Sequence, residues 1–434
     1  MKAISIMHIS DAHIQKKDER EIEEIAKKLI ADVQKVQSEK GISIDLVCFT
    51  GDLIQRGDKA FVDEKQWELA MDILVYPLLE SLGLTKDKFI FAPGNHEVDI
   101  TKIVSRLEKG LEIKSLEDIN EIFQDFDDTY KSRLSYFYDV VKDYHEDVYI
   151  GNLGYVHKRH INELSVGVAC VDSAWRSTGS GCEEKTHLYV CPGQIKDLYY
   201  QVKDCEIKIC MMHHPLDWLE DCETKEVERE LSKFDIVLRG HVHEEDLNQI
   251  IRNNLKTIYA TAGKLYPLDY SEGRAKDGYN GYSILNIDYK TKKCNIFVRT
   301  YYAQCRQEFD TGINICPGGE ESYDICSKDG AWAVEYDVIK GVSSYFHNMS
   351  EKYALIKEVD AQSPQSEIQI LVEPVLSEKS EYVKENTSNG EEDEINLQKI
   401  VDSNEDIILI GKKESGKTTI LQQIALKYIE KYGC

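Results

Sequence analysis

An α/β layer structure is the fold class this sequence predicts for residues 1–310, and three observations predict it. Five short apolar runs, at residues 3–9, 44–49, 89–92, 207–212 and 235–238, each stop at a polar cluster, as buried strands do where they hand the chain to a loop. Between the first two, Ile22, Ile25, Leu29, Val33 and Val36 recur at helical spacing, with Gly41 as a stop. Trp67, Met71, Leu74 and Leu78 repeat that spacing before the third run, so strands alternate with helices and their connections are crossovers.

The remaining segments are read the same way. Residues 101–150 are helical in pattern, acidic and dense in aromatics around Tyr130, Tyr136, Phe137 and Tyr138, which suggests a cap inserted over residues 101–160. Two alternating runs within 282–302 flank Lys290 and Lys293 and suggest a hairpin. Beyond 310 the periodicity weakens, and 311–395 is expected to connect, with a polar, acidic linker over 377–394. Order is expected to resume in 396–434, with a strand at 407–410 and a helix from Gly416 to about Tyr432.

Composition excludes some classes. No window reaches the roughly 18 apolar residues of a membrane span, and the N-terminus lacks the basic start and small-residue cleavage site of a secretory signal. The twelve cysteines are scattered, with no CxxC pair, and read as reduced core thiols of a cytoplasmic protein. A net charge of −25 disfavours non-specific attraction to nucleic acid or anionic lipid, while bound divalent cations would reverse the local field for a phosphate substrate. The basic run from His157 to His160 reads as a solvated strand edge rather than a phosphate contact.

The polar clusters carry the chemistry. In order they are Asp11-Ala-His13, Gly51-Asp52 with Gly57 after it, Gly94-Asn95-His96-Glu97, His213-His214-Pro215 and Gly240-His241-Val242-His243. Carboxylates, an amide oxygen and imidazoles, with no thiolate, suit manganese, iron or zinc more than calcium. In Asp-x-His and His-x-His the alternate side chains of an extended segment point the same way and can converge on one ion. Ends of neighbouring strands are also where open α/β sheets place their sites.

These blocks, in this order over roughly residues 4–305, resemble the calcineurin-like metallophosphoesterases, whose pattern is DxH, GDxxxxG, GNH(D/E), an HxP-type histidine and GHxH. The resemblance implies a four-layer α/β/β/α sandwich with two divalent ions, manganese first and iron or zinc as alternatives. It implies that Asp11, His13, Asp52 and His243 hold one ion and Asp52, Asn95, His213 and His241 the other, with Asp52 bridging. Two cations about 3.5 to 4 Å apart acidify a bridging water and steady the charge of an in-line displacement. His96, kept off the metals in the family, is expected to bind the phosphate or protonate the leaving oxygen, and Glu97 to orient that ring. The family ligand is the histidine two before proline, which selects His213 and leaves His214 to face substrate.

A second motif lies near the end. Gly411-Lys-Lys-Glu-Ser-Gly416-Lys417-Thr418 fits GxxxxGK[ST] between an expected strand and helix. Its backbone amides would cradle the phosphates of ATP or GTP, with Lys417 on the β and γ oxygens and Thr418 on magnesium. The segment resembles the entry to a STAND or NACHT-type NTPase, too short here to complete one, and implies nucleotide-dependent assembly, including homo-oligomers, controlling an attached effector.

The expected function is therefore a metal-dependent phosphoesterase, a phosphodiesterase or nuclease effector first. A phosphomonoesterase or cyclic-nucleotide hydrolase is the alternative within enzymes. A nucleotide-regulated interaction module with a structural metal site is the alternative outside them. No membrane partner is expected.

Overall fold

The computed structural model describes residues 2–56, 64–104, 113–124, 126, 128–178, 184–242, 246–252, 255–266, 280–302 and 306–325, and beyond these only 355–356, 365–366, 376–377, 394–395, 420 and 424. The first three apolar runs become β1 (Ala3–Ile9), β2 (Leu46–Phe49) and β3 (Phe89–Phe91), parallel and adjacent, with Ile9 opposite Phe49 and Phe49 opposite Phe91. Between β1 and β2 runs α1 (Glu19–Lys40), which buries Ile22, Ile25, Leu29, Val33 and Val36 and ends where Gly41 turns left-handed at φ 64°. Leu29 is fully buried, so Leu29→Ala is expected to cost about 2 to 5 kcal/mol.

The second crossover differs from a plain helix. It consists of α2 (Glu64–Ala70), a wide π turn over Met71–Val75, and α3 (Tyr76–Leu82). The amide of Tyr76 bonds the Met71 carbonyl five residues back, immediately before Pro77, which has no N–H to continue the ordinary register.

The expected helices of this region are α4 (Leu116–Gln124), α5 (Asp128–Ser132) and α6 (Ser135–Tyr144). Tyr130, Phe137, Tyr138 and Tyr144 are buried rather than displayed: Tyr130 meets Trp175 edge-on at 5.0 Å, and Phe137 lies 6.4 Å from Trp67. Residues 149–161, placed with the cap by sequence, belong instead to a second sheet. That sheet holds β4 (Tyr149–Ile150), β5 (Tyr155–Ile161), β6 (Leu164–Cys170), β7 (Ile207–Met211), β8 (Ile236–Arg239), β9 (Asp246–Arg252) and β10 (Leu255–Thr261), in the order β4-β5-β6-β7-β8-β10-β9. Strand alternation corrects the expectation of a solvated basic edge: Lys158 and His160 are exposed, but His157 points inward and is 1% exposed.

The helices α7 (Pro192–Val202) and α8 (Asp221–Leu231) cross between strands of the second sheet. The period of two then sorts its residues. Val166, Val168, Ile207, Ile209, Ile236 and Leu238 join one core with β1, β2, β3 and α1, while Ala169, Cys210, Val237 and Tyr259 pack with Ile195, Leu198, Val227 and Leu231 of α7 and α8.

The chain then returns to the first sheet through β11 (Gly281–Asp288) and β12 (Lys293–Tyr301), the expected hairpin, closed with Asp288 opposite Lys293. Asp288 accepts the Lys290 and Thr291 amides within that turn. Two further strands, β13 (Phe309–Thr311) and β14 (Glu320–Asp324), both pair β12, so the first sheet continues past residue 310 in the order β13-β12-β11-β1-β2-β3.

The chain divides into two compact units, Met1–Asp329 and Gly330–Cys434. In the second, the described residues form two short antiparallel ladders, Leu355–Ile356 with Gln365–Ser366 and Leu376–Ser377 with Glu394–Ile395, and Ile420 and Ile424 are helical. No helix among the described residues is long and apolar enough to cross a membrane, and the eight described cysteines are all free thiols.

Candidate metal centre

Every predicted ligand within the described residues lies just past a strand. Asp11 follows β1, Asp52 follows β2, Asn95 follows β3, His213 follows β7 and His241 follows β8. Both sheets therefore deliver side chains to one place from their carboxyl ends. Backbone bonds lock the loops together: Asp11 N–H to Gly51 O and His13 N–H to Asp52 O at 3.0 Å each, and Gly240 N–H to His213 O at 3.0 Å. Across the two sheets, Asp11 Oδ2 accepts the His241 amide at 3.0 Å.

The loops are bent hard to achieve this. Asp11, His13, Asp52 and His241 all hold positive φ, at 53°, 45°, 57° and 72°. Such conformations cost about 1 to 3 kcal/mol each and persist where the surroundings over-determine them, as at functional sites. Glycine is required nearby: a Cβ on Gly51, whose φ is +98°, would stand 2.6 Å from His213 Nδ1, and one on Gly94 would run into the Asp52 carboxylate.

His213 is at the middle of the cluster. Its Nε2 lies 3.3 Å from Asp52 Oδ2, 3.2 Å from Asn95 Oδ1 and 3.0 Å from His241 Nδ1, and its Nδ1 lies 2.7 Å from Thr50 O. The Thr50 carbonyl can only accept, so Nδ1 carries the proton and Nε2 is the lone-pair nitrogen of the neutral ring. The His213 nitrogen and the Asp52 and Asn95 oxygens, all three residues buried, are then lone-pair atoms facing one another beside the half-buried His241 ring, an arrangement that repels itself unless a proton or a cation lies between them. Burial disfavours a charged His213, yet the adjacent Asp52 carboxylate outweighs it and lifts the ring to about 9. Asp52, despite its own burial, is held well below the ordinary carboxylate range by His213, His96 and His13. A cation satisfies this donor set without the shared proton, so the residues fit a divalent metal.

On the other side of Asp52, His13 Nε2 lies 3.5 Å from Asp11 Oδ1 and 3.8 Å from Asp52 Oδ2. Ligand atoms of His13, Asp52 and His96 lie within 4.8 Å of one another, as do those of Asp11, Asp52 and His213. The two sets share Asp52, the residue expected to bridge. His243, the remaining ligand in the expected set, lies outside the described residues, as do Gly411, Gly416, Lys417 and Thr418 of the second motif.

His96 is held by its neighbours. The Arg56 amide donates to its Nδ1 at 3.3 Å, which leaves the proton of the neutral ring on Nε2, 3.9 Å from Asp52 Oδ2. Burial lowers the ring to about 4 against the pull of Asp52, so it is neutral at physiological pH. Glu97 does something other than orient this ring. Its carboxylate accepts the amides of Asp52 and Leu53 at 2.9 Å each, of Ile54 at 3.4 Å and of Gly94 at 2.7 Å. The carboxylate thus holds the Asp52 and Gly94 loops against each other. Burial and the Asp52 charge push Glu97 up to about 7.

His213 and His214 are separated by geometry. His214 Nδ1 lies 3.0 Å from Ser173 Oγ, and its buried Nε2 has no hydrogen-bond partner among the described residues. A His214 ring nitrogen lies within 4.8 Å of those of His213 and His241, which puts the residue beside the ligands.

Sequence reasoning missed two residues here. Arg56 is 7% exposed, and its Nε and Nη2 have no hydrogen-bond partner among the described residues, which leaves a buried cation facing Asp52, Glu184, Glu97 and Asp99. Its place immediately before Gly57 in the Gly-Asp block was the available signal. Ser173 ends the apolar run of β6 in an Asp172-Ser173 cluster, the same strand-then-polar signature as the other five blocks.

Among solved structures the molecule is similar to a purple acid phosphatase from yellow lupin (Lupinus luteus) seeds, 14% identical over 74% of this chain and 54% of that one, with a TM-score of 0.41. It is also similar to GAP50, the anchor in the inner membrane complex of Plasmodium, 12% identical over 77% of this chain and 93% of that one, TM-score 0.42. The NAD nucleotidase of Haemophilus influenzae is 11% identical over 66% of this chain and 47% of that one, TM-score 0.32. No curated protein sequence matches the chain. The family description "Calcineurin-like phosphoesterase" matches residues 4–245, more than half the chain and all five polar blocks, and the chain accordingly belongs to the calcineurin-like phosphoesterases, metal-dependent hydrolases of phosphoester bonds.

Proposed function

We propose that this chain hydrolyses phosphodiesters, in nucleic-acid strands or nucleotides, with two divalent cations held by Asp11, His13, Asp52, Asn95, His213, His241 and His243. Manganese suits this mixed oxygen and nitrogen set best, with iron or zinc next. The observation that carries the reading is the meeting of Asp52 Oδ2, Asn95 Oδ1 and His241 Nδ1 within 3.3 Å of His213 Nε2. Helices α7 and α8 outside the second sheet and α1 against the first fit the four-layer sandwich that such a site requires.

When bound, the cations supply Lewis-acid activation of water and of the phosphoryl oxygens. The protein's own groups do the rest. Glu97 fixes the Asp52 and Gly94 loops at one separation. Arg56 offers its unsatisfied guanidinium N–H groups to a non-bridging phosphoryl oxygen. His96 keeps its proton on Nε2, on the Asp52 side, from which it can pass to the leaving oxygen.

A diester is favoured over a monoester by charge. The carboxylates of Asp52, Glu184, Glu97 and Asp99 surround Arg56, and the chain carries −25 overall, a field that opposes a doubly charged monoester more than a singly charged diester. The Gly411–Thr418 sequence motif supports a regulatory role for ATP or GTP with magnesium and assembly through a fuller NTPase module, in a cytoplasmic signalling or defence protein. Manganese-loaded protein should turn over bis(p-nitrophenyl) phosphate with kcat/KM at least about tenfold above p-nitrophenyl phosphate. Preference for the monoester selects a phosphomonoesterase, and bound metal without turnover of either selects an interaction module.

A further inference from the structure

The exposed margin of the metal centre carries a large aromatic ring, Trp218. It closes a single tight helical turn, Leu216–Trp218, that follows His213, His214 and Pro215 directly. Its ring centre lies 4.0 Å from that of His241, with the planes at 87°, and 6.0 Å from that of His214. His241 Nδ1 in turn lies 3.0 Å from His213 Nε2, so the indole is one ring removed from the ligand cluster. His213, His214 and Asp52 are buried, whereas His241 and Trp218 are both half-buried, which puts the contacting pair at the side of the cluster that solvent reaches.

The turn holds the ring in place. Trp218 N–H bonds Pro215 O at 3.1 Å, Leu219 N–H bonds Leu216 O at 3.1 Å, and Trp218 O accepts the Leu188 amide at 3.3 Å. With both backbone groups bonded and the indole nitrogen itself buried, the part of Trp218 that meets solvent is carbon surface. A phosphate held at the ligand cluster directs an ester substituent outward, to the margin where this surface lies. A chain of net charge −25 has little to offer further phosphates, so a nucleotide is recognised here through its neutral part. Every base has a flat π-face that gains from stacking on an indole. The exposed residues that border Trp218 along the chain, Asp217 and Asp221, are acidic, which disfavours an acyl chain and suits the amino groups of a base.

We propose that Trp218 stacks the base of a nucleoside ester bound at the metal centre and so selects nucleotides among phosphodiesters, an assignment that rests on the phosphodiester reading of that centre. The test compares adenosine 5′-(methyl phosphate) with the same methyl diester of ribose 5-phosphate, which differs only in lacking the base. Turnover by the manganese-loaded full chain is followed by chromatography of the products, and isothermal titration compares AMP with ribose 5-phosphate. The wild type is expected to favour the base-bearing member of each pair about tenfold, in KM and in Kd rather than in kcat. Trp218→Ala is expected to bring both ratios to about one and Trp218→Phe to an intermediate value. Tyr200→Ala removes an aromatic ring that is 64% exposed on α7 and is expected to keep the wild-type ratios. Circular dichroism and elemental analysis report that each variant is folded and holds its ions. Equal use of both diesters by the wild type, or an equal loss on both in Trp218→Ala, overturns the proposal and leaves the diester reading standing. Turnover of bis(p-nitrophenyl) phosphate with neither ribose ester cleaved also overturns it, since the substrate is then no nucleotide. Absence of turnover of every diester overturns the diester reading and the proposal together.

Discussion

Glu97 holds the backbone of Asp52: one carboxylate accepts the Asp52 and Leu53 amides at 2.9 Å and the Gly94 amide at 2.7 Å. Asp52, which two of the candidate ligand groups share, is thereby fixed by a side chain that belongs to neither group. Groups that orient ligands in this way typically govern about 10 to 100-fold in metal affinity. Glu97→Ala is expected to weaken metal binding by about that factor, read by titration with manganese, and Glu97→Gln by less, since its amide oxygen still accepts. Unchanged affinity in Glu97→Ala would show that the loops hold their positions without it.

Arg56 is expected to act on substrate rather than on metal. Arg56→Ala should leave the ion content unchanged and lower kcat/KM for bis(p-nitrophenyl) phosphate by about 10² to 10³-fold, the loss typical of a group that stabilises developing charge. Arg56→Lys keeps the charge but not the forked donors and should recover only part. Loss of metal in Arg56→Ala would place the residue among the supports of the ligand loops.

The adjacent histidines give a clean contrast. His213→Ala removes the atom around which Asp52, Asn95 and His241 gather, so it should lose an ion and turnover together. His214→Ala leaves that cluster in place and should keep both ions. The reverse pattern under elemental analysis would exchange their roles.

Stability should depend on pH through His157. Burial, followed by the charges of His145 and Arg159, outweighs the opposing Asp87 and lowers this ring from 6.5 to about 2. Its folded-state pKa lies below the unfolded one, so the folded protein binds fewer protons. The contribution is complete above pH 6.5 and is lost as pH falls below it. Neither ring nitrogen has a hydrogen-bond partner among the described residues, and the His145 ring lies 4.5 Å away. His157→Leu should therefore be more acid-resistant than the wild type by about 1 to 3 kcal/mol at pH 4.5 relative to pH 7, measured by urea unfolding. A difference that does not change with pH would mean the ring is solvated when folded.

Much of the fold and of the candidate centre was legible because strand ends and predicted ligands coincide. The apolar runs ending in Asp11, Asp52, Asn95, His213 and His241 could be marked from hydropathy alone, and each proved to follow a strand. Less legible was anything that depends on what packs against a residue. His157 reads as part of a basic surface run, yet strand alternation turns it inward. Glu97 stands next to His96 in sequence, but the three-residue turn from Gly94 points its carboxylate at the Asp52 loop. Residues 309–324 lack strong periodicity because two short edge strands, Phe309–Thr311 and Glu320–Asp324, draw their order from β12 rather than from their own pattern.

The paired-cation centre is tested most directly by elemental analysis of the purified protein, as the wild type and as Asp52→Asn, after dialysis against a limiting mixture of manganese, iron and zinc. About two ions per chain in the wild type, and loss of both ions and of diester turnover in Asp52→Asn, is the predicted result. A wild-type protein that retains no transition ion, or that hydrolyses the diester equally well in excess chelator, would contradict it.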